Sequence, residues 1–205
     1  MTGFSLVETL VALSVGLSLA GGIMQTLLWQ GHVHGRLSRL VRERAWQQRT
    51  LGLIAADVSL SNGISTSPQS EKSACPLAGR QAVLHLHSAA GPITYSVGNA
   101  PSPIWRGRVL MRCGPAFDLQ GKPSMGTQAQ NRVVLDGLPS KPSPWGGCNA
   151  LLRSGGSELA GSFQQGLSAC LDSSGALLGL RLEQELGTSG QQQRISQERL
   201  VGRLP

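Results

Sequence analysis

A run of apolar residues near the N-terminus limits how this chain can fold more than any other feature. From Phe4 to Trp29, Glu8 is the only residue with a charged side chain, and alanine, leucine, valine, isoleucine and glycine make up most of the segment. A helix that crosses the hydrocarbon core of a bilayer needs about 20 such residues. The sequence therefore predicts a hydrophobic transmembrane helix over residues 4–30.

Glu8 distinguishes this segment from a simple membrane anchor, because a carboxylate within a membrane helix is costly and is usually functional. Small residues also recur at every fourth position, a spacing that lets helix backbones approach closely in lipid. The same composition is ordinary for membrane helices, in which glycine is common, so it does not by itself indicate helix packing. The two rows of small residues are Ala12, Gly16 and Ala20, and Ser14, Ser18 and Gly22.

The motif GFSLVE over residues 3–8, followed directly by TLVAL, resembles the N-terminus of type IV prepilins and pseudopilins. The resemblance implies that residues 1–3 are a leader, that a prepilin peptidase cuts after Gly3, and that Phe4 is then N-methylated. It also implies that the carboxylate of Glu8 meets the N-terminal amine of a neighbouring subunit in a filament.

Apolar residues at helical spacing continue beyond the membrane segment. They predict an amphipathic continuation of the helix over residues 31–60, with arginines on much of the opposite face. The resemblance implies one long helix from Phe4 to about Leu60, whose second half packs against a globular domain. The sequence SNG at residues 61–63 ends this helix. The apolar positions are Leu37, Leu40, Val41, Ala45, Leu51, Ile54, Ala55 and Val58.

Residues 61–205 predict a β-rich globular head with a polar tail. Glycine (27) and proline (11) are plentiful, which favours turns and short strands. The segment 139–147, which is rich in proline and glycine, is predicted to be a loop. The polar segment 187–205 is predicted to be a tail that is partly helical or disordered. Alternating patterns predict strands over residues 82–87, 93–97, 105–113, 132–138 and 177–186. The expected fold class is therefore α+β, with a long N-terminal membrane-spanning α-helix followed by a small antiparallel β-sheet head.

The order of segments within the head resembles the J/W branch of minor pilins and pseudopilins. That branch has a strand with tyrosine, an apolar-arginine step, a Leu-Asp-Gly-Leu segment and a closing strand. The corresponding segments here are residues 93–97 (ITYSV), 104–106 (IWR), 133–138 (VVLDGL) and 178–182 (LGLRL). The resemblance implies a pilin-like head.

Positive charge is concentrated outside the apolar segment. Lysine and arginine exceed aspartate and glutamate by 18 − 11 = 7, and every cation lies at or after Arg36. The positive-inside tendency alone would place that side in the cytoplasm, whereas the prepilin motif implies that the head lies outside, and we follow the motif. A basic surface can also attract DNA, which is the less favoured hypothesis. The candidates for DNA contact are the arginines from Arg36 to Arg49, Arg106, Arg108, Arg112 and those of the tail, with Trp105 and Trp145 for base stacking.

Four cysteines are scattered through the head: Cys75, Cys113, Cys148 and Cys170. An even number in an exported domain favours two disulfides, and three pairings are open. Near partners in the sequence are preferred, which pairs Cys75 with Cys113 and Cys148 with Cys170. The alternative is four buried free thiols, because unpaired cysteine is commonly a small buried hydrophobe.

Sequence motifs for catalysis are absent, since the chain has no Gly-x-Ser-x-Gly elbow, no phosphate-binding glycine loop and no His-Glu-x-x-His motif. We therefore expect no enzymatic activity and no cofactor. His85 and His87 share one face of a predicted strand, where two imidazoles could bind a metal. No third ligand is evident in the sequence, so two exposed histidines without metal are the preferred interpretation. Glu183 and Glu185 also share a strand face, which we interpret as solvated.

These features together favour a structural and assembly protein, a minor pilin of a type IV pilus. The resemblance implies as partners prepilin peptidase, other pilins or pseudopilins, an inner-membrane assembly platform and membrane lipid. It also implies a single-pass inner-membrane protein that later enters a pilus or periplasmic pseudopilus. One alternative is a pseudopilin of the J type from type II secretion. Another, of a different class, is a membrane-anchored binding domain that binds DNA.

We expect the mature chain to begin at methylated Phe4. Gly3→Leu should leave an uncut precursor in the membrane, because a bulky residue removes the peptidase site, whereas Thr2→Ser should be processed normally. The measurement is the mass of the N-terminal peptide from cells with active peptidase. An unmodified Met1 at the N-terminus of the mature protein would contradict this expectation.

Overall fold

The structure is a computed structural model that describes residues 5–121, 123–152, 155–187 and 193–203, without the side chains of residues 26–36. The chain forms two compact units, Met1–Glu43 and Arg44–Pro205. Helix α1 (Leu6–Ser59) includes residues of both units. Its end agrees with the predicted helix terminus near residue 60.

Two antiparallel sheets form the second unit. The first is a meander in the order β1-β2-β3-β4-β5, with β1 (Ser61–Ile64), β2 (Gln81–Ser88), β3 (Ile93–Asn99), β4 (Arg108–Gly114) and β5 (Gln130–Leu138). The second has the order β6-β7-β8-β9, with β6 (Gly156–Glu158), β7 (Leu167–Asp172), β8 (Leu177–Leu186) and β9 (Gln193–Gly202). A short helix, α2 (Cys148–Leu151), precedes β6. The predicted α+β class, an apolar N-terminal helix followed by an antiparallel β head, is confirmed.

Two boundaries in the first sheet differ from the sequence prediction. Residues 61–63 do more than end the helix, because Ser61 pairs with Ser88 and the segment forms the edge strand β1. Asparagine and glycine are weak strand formers, so pairing with β2 determines this strand rather than local propensity. Strand β4 starts three residues later than predicted, since Gly107 has a φ of +57° that interrupts the extended backbone.

The prediction for the tail is wrong. Instead of a helical or disordered segment, it contains β9, which pairs with β8 from Leu177 to Leu186. Within β9 the buried residues are Ile195 and Val201, and the polar residues between them hide the alternation by which a strand is identified. Strand β8 is therefore an inner strand of its sheet, not the last one.

The main core of the second unit is a hydrophobic cluster with members from the end of α1 and from both sheets. The helix residues recur at i, i+3 and i+7, which places them on one face. Full burial of such a side chain contributes about 1.5–3 kcal/mol. The members include Leu51, Ile54 and Val58 from α1, Leu84, Leu86 and Leu110 from the first sheet, and Leu167, Leu180 and Leu182 from the second.

A buried ion pair joins the end of α1 to the first sheet. Asp57 accepts hydrogen bonds from Arg112 Nε at 2.7 Å, from Arg112 Nη2 at 3.0 Å and from the Tyr95 hydroxyl at 2.6 Å. All three side chains are buried. Burial, followed by the nearby charge of Asp57, raises the pKa of Tyr95 well above its ordinary value, so the hydroxyl remains a donor. Because Tyr95 lies on β3 and Arg112 on β4, the helix end is held against the middle of the sheet.

The helix end also binds the backbone of both sheets. Thr50 donates its hydroxyl to the carbonyl of Val134 in β5 at 3.2 Å, and Gln47 donates its amide to Ile195 in β9 at 3.3 Å. These bonds satisfy polar groups that would otherwise be buried without partners. The segment of α1 within the second unit is therefore an integral part of the head.

The four cysteines form two disulfides, Cys75–Cys113 and Cys148–Cys170, each with a Cα–Cα separation of 6.0 Å. These are the pairs that nearness in the sequence favoured. The first joins the long connection between β1 and β2 to strand β4. The second joins α2 to β7 within a small apolar cluster that includes Trp145.

Asp57→Ala should lower the free energy of unfolding by about 3–5 kcal/mol, because it leaves the buried charge of Arg112 without a partner. The matched control is Arg106→Ala, which removes a half-exposed pair with Asp136 at 3.1 Å and should cost about 0–1 kcal/mol. The measurement is thermal unfolding of the full chain in detergent, followed by near-UV circular dichroism. Equal losses in the two variants would contradict the structural role of Asp57.

The disulfides predict the result of non-reducing peptide mapping of protein isolated from its own compartment. We expect linked peptides for Cys75 with Cys113 and for Cys148 with Cys170, closing loops whose cross-linking contributes about 3–4 kcal/mol through chain entropy. Reduction before digestion is the control and should abolish both linked species. Four thiols that react with an alkylating agent in unreduced protein would exclude both bridges.

Candidate functional site

The apolar part of α1 contains Glu8 and follows the predicted processing site in the sequence. Residues Leu6–Gln25 form 20 residues of helix with a mean hydropathy of 1.8, and none of this segment is buried. Leu6, Leu17 and Leu19 are each exposed by about two thirds or more. The segment is long and apolar enough to cross a membrane, although an N-terminal signal sequence has the same properties. An exposed apolar surface of this extent is typical of segments that contact lipid or another protein.

The hydroxyl groups of this segment bond to its own backbone. Thr9 donates to the carbonyl of Leu6 at 2.9 Å, Ser14 to that of Val11 at 2.9 Å, and Ser18 to that of Ser14 at 2.8 Å. In lipid every polar group needs an internal partner, and these hydroxyls have one. They therefore need no contact outside the helix.

Glu8 is different from these hydroxyls. It lies in the first turn of α1 and is exposed. Among the residues that the structure describes, none donates a hydrogen bond to its carboxylate. The partial positive charge of a helix N-terminus favours a carboxylate there, but a full cation would balance it better.

The predicted processing residues, Gly3 and Phe4, lie outside the described residues together with the leader, residues 1–3. Peptidase cleavage and N-methylation therefore stay predictions from the sequence motif. Next to these residues, the structure shows that helix α1 begins at Leu6, the fourth residue of the GFSLVE motif.

Three of the residues named as candidates for DNA contact are engaged within the head. Arg112 is buried against Asp57, and Arg106 pairs with Asp136 at 3.1 Å. Trp145 is also buried, so it offers no surface on which a base could stack. Arg106 and Arg112 are thus bound to carboxylates, and DNA binding by the other candidate arginines stays a prediction.

The interpretation of Glu183 as a solvated residue is wrong. Its side chain is buried, pairs with Arg181 at 3.1 Å, and accepts hydrogen bonds from the Ser143 backbone and hydroxyl at 3.0 and 2.8 Å. The proline-rich loop over residues 139–147 therefore folds back onto β8. Glu185, at the next position on this face, pairs with Arg194 at 2.7 Å. A loop that covers a strand cannot be identified from the pattern of the strand alone.

The histidine pair also differs from its prediction, because His85 is buried and only His87 is exposed. Burial lowers the pKa of His85, although the nearby Glu71 carboxylate opposes this shift. Glu71 is a third candidate ligand, which is not evident from the sequence. One nitrogen or oxygen from each of the three side chains lies within 4.8 Å of the others. A single acid in a polar loop, 14 residues before His85, carries no signal of this proximity.

Comparisons of the chain with protein-family models, with curated proteins and with solved structures each found no match. The functional interpretation therefore depends on two features of this chain. One is the GFSLVE motif at residues 3–8, and the other is the exposed apolar helix in which Glu8 is the only acid.

Proposed function

We propose that this chain is a minor pilin, or pilin-like subunit, that is assembled into a type IV pilus or primes its assembly. The single-pass helix inserts in the inner membrane with the head outside the cytoplasm. Prepilin peptidase cuts after Gly3, and an inner-membrane assembly platform then moves the subunit into the filament. The observation that carries the proposal is the position of Glu8, in the first turn of a 20-residue apolar helix that follows the Gly3-Phe4 junction.

Cleavage at this junction supplies the partner that Glu8 requires. It frees an α-amine at Phe4, which has an ordinary pKa of about 7.7–8.0 and is largely cationic at neutral pH. An amine that enters an apolar filament core is costly without a counter-charge. Glu8 is the only acid in the apolar segment, so a neighbouring subunit's Glu8 is the counter-charge that the segment itself provides.

The pairing would also determine how subunits align. At about 4 Å and an effective dielectric constant near 20, such a pair attracts by about 4 kcal/mol. A neighbour displaced by one helical turn, about 5.4 Å, would leave both charges unpaired. The pairing therefore favours one axial register, while the exposed leucines and valines of Leu6–Gln25 supply the apolar contact.

The head agrees with assembly outside the cytoplasm. Its two disulfides suit an oxidising compartment. The buried Asp57–Arg112 pair joins helix and head firmly, so that a force on the helix is transmitted to the head. A pseudopilin of a type II secretion system would have the same features, and it differs in the filament that the subunit enters.

Glu8→Leu should still insert and be cut after Gly3, but its amount in sheared filaments relative to membranes should fall by at least about tenfold, since 1.4 kcal/mol corresponds to a factor of ten. Glu8→Gln should fall similarly because it also removes the charge. Thr9→Val is the matched control, as the Thr9 hydroxyl donates to the helix backbone at Leu6. It should enter filaments normally.

Normal incorporation of Glu8→Leu would reject the pairing between subunits. It would favour a membrane-anchored domain that uses the helix only as an anchor. Recovery of the wild-type chain in a periplasmic pseudopilus, and not in surface pili, would instead assign it to type II secretion.

A further inference from the structure

A group of metal-ligating side chains lies on the first sheet, in the head and apart from the apolar helix. It consists of Glu71, in the connection between β1 and β2, and of His85 and His87, on β2. The Nε2 of His87 lies 4.0 Å from the Glu71 carboxylate, and both side chains are accessible, with 53% and 34% exposure. His85 is buried at the base of the group. The group is thus accessible to solvent at Glu71 and His87, and it is held in place at the buried His85.

The orientation of His85 is set by a neighbouring strand. Its Nδ1 lies 3.0 Å from the hydroxyl of Thr94, its direct partner on β3. Metal-binding histidines almost always use their second ring nitrogen in such a hydrogen bond, which fixes the tautomer and the ring orientation. With Nδ1 engaged in this way, Nε2 is the nitrogen left to bind a metal.

A disulfide holds the loop that carries Glu71. Cys75, four residues after Glu71, is bonded to Cys113 on β4. Cys113 is in turn the cross-strand partner of Thr94, so the disulfide and His85 occupy neighbouring positions of one sheet. The loop with the carboxylate is therefore attached covalently beside the strand with the two imidazoles.

We propose that Glu71, His85 and His87 bind a divalent transition-metal ion, with zinc as the representative species. Two imidazoles and one carboxylate are a recognised zinc ligand set. With bonds of about 2.0–2.2 Å in a tetrahedral site, ligand atoms lie about 3.3–3.6 Å apart. The present separations of up to 4.8 Å close by rotation of the two accessible side chains onto the fixed His85. The fourth position is left for water or for a donor from another molecule.

The competing interpretation is that Glu71 and His87 form an ordinary surface ion pair. Such a pair contributes about 0–1 kcal/mol and gives no response to metal. It also requires nothing of His85, whereas the metal site requires all three residues. A titration with metal therefore separates the two interpretations.

The test is isothermal titration calorimetry of zinc into the full chain in detergent, purified without a polyhistidine tag and stripped with a chelator. We expect one zinc per chain with micromolar or tighter affinity, no binding of Ca²⁺, and a rise of the melting temperature with zinc. His87→Ala and Glu71→Gln should each weaken zinc binding at least tenfold. Both residues are accessible, so these variants should fold, and the melting temperature without metal checks this.

His34→Ala is the control, since it removes a histidine that is not one of the three proposed ligands, and it should bind zinc as the wild type does. Cobalt provides an independent reading, because a tetrahedral site with these ligands should give visible absorption bands that His87→Ala abolishes. Absence of micromolar zinc binding in the wild type would overturn the proposal. Unchanged affinity in both His87→Ala and Glu71→Gln would overturn it equally, by placing the ion elsewhere.

Discussion

The buried contact of Asp57 with Arg112 and Tyr95 is the interaction on which the architecture of the head depends. Desolvation offsets much of the attraction within a buried ion pair, so the pair adds little compared with apolar residues of equal volume. Its effect is geometric, because a helix rotated away from this position would leave a buried charge unpaired. Both Asp57 oxygens accept hydrogen bonds here, and Arg112 also donates to the Pro115 carbonyl at 3.0 Å. The orientation of α1 that pairs Asp57 with Arg112 also places the apolar face of the helix in the core.

Elsewhere in the head, loops are held against the sheets by a few polar or covalent contacts. Glu183 attaches the proline-rich loop to β8 through Ser143, and Cys75–Cys113 attaches the long β1–β2 connection to β4. A domain with few aromatic residues and many glycines has limited apolar surface to bury. Such contacts order segments that the hydrophobic core does not reach. They also place Glu71 beside His85, which is how the proposed metal group arises.

The two ends of α1 satisfy opposite requirements. Around Leu51 and Ile54 the helix buries its apolar face within its own domain, whereas residues Leu6–Gln25 are exposed in the described part of the chain. Assembly as proposed would cover this surface first with lipid and then with other helices. The role proposed for Glu8 follows from the same contrast. A charge that is inexpensive in water demands a partner when its surroundings become apolar.

The sequence by itself determined the features that depend on residues close to one another in the chain. The helix to residue 59, and strands β2, β3 and β5, follow from apolar periodicity, which acts over a few residues. Nearness in the chain was also enough to favour the disulfide pairs. Only the tertiary structure decided the edge strands β1 and β9, the burial of Glu183 and the approach of Glu71 to His85. Each of these arises where segments distant in the sequence meet, and because the partner supplies the hydrogen bonds or the burial, no pattern within the segment itself records them.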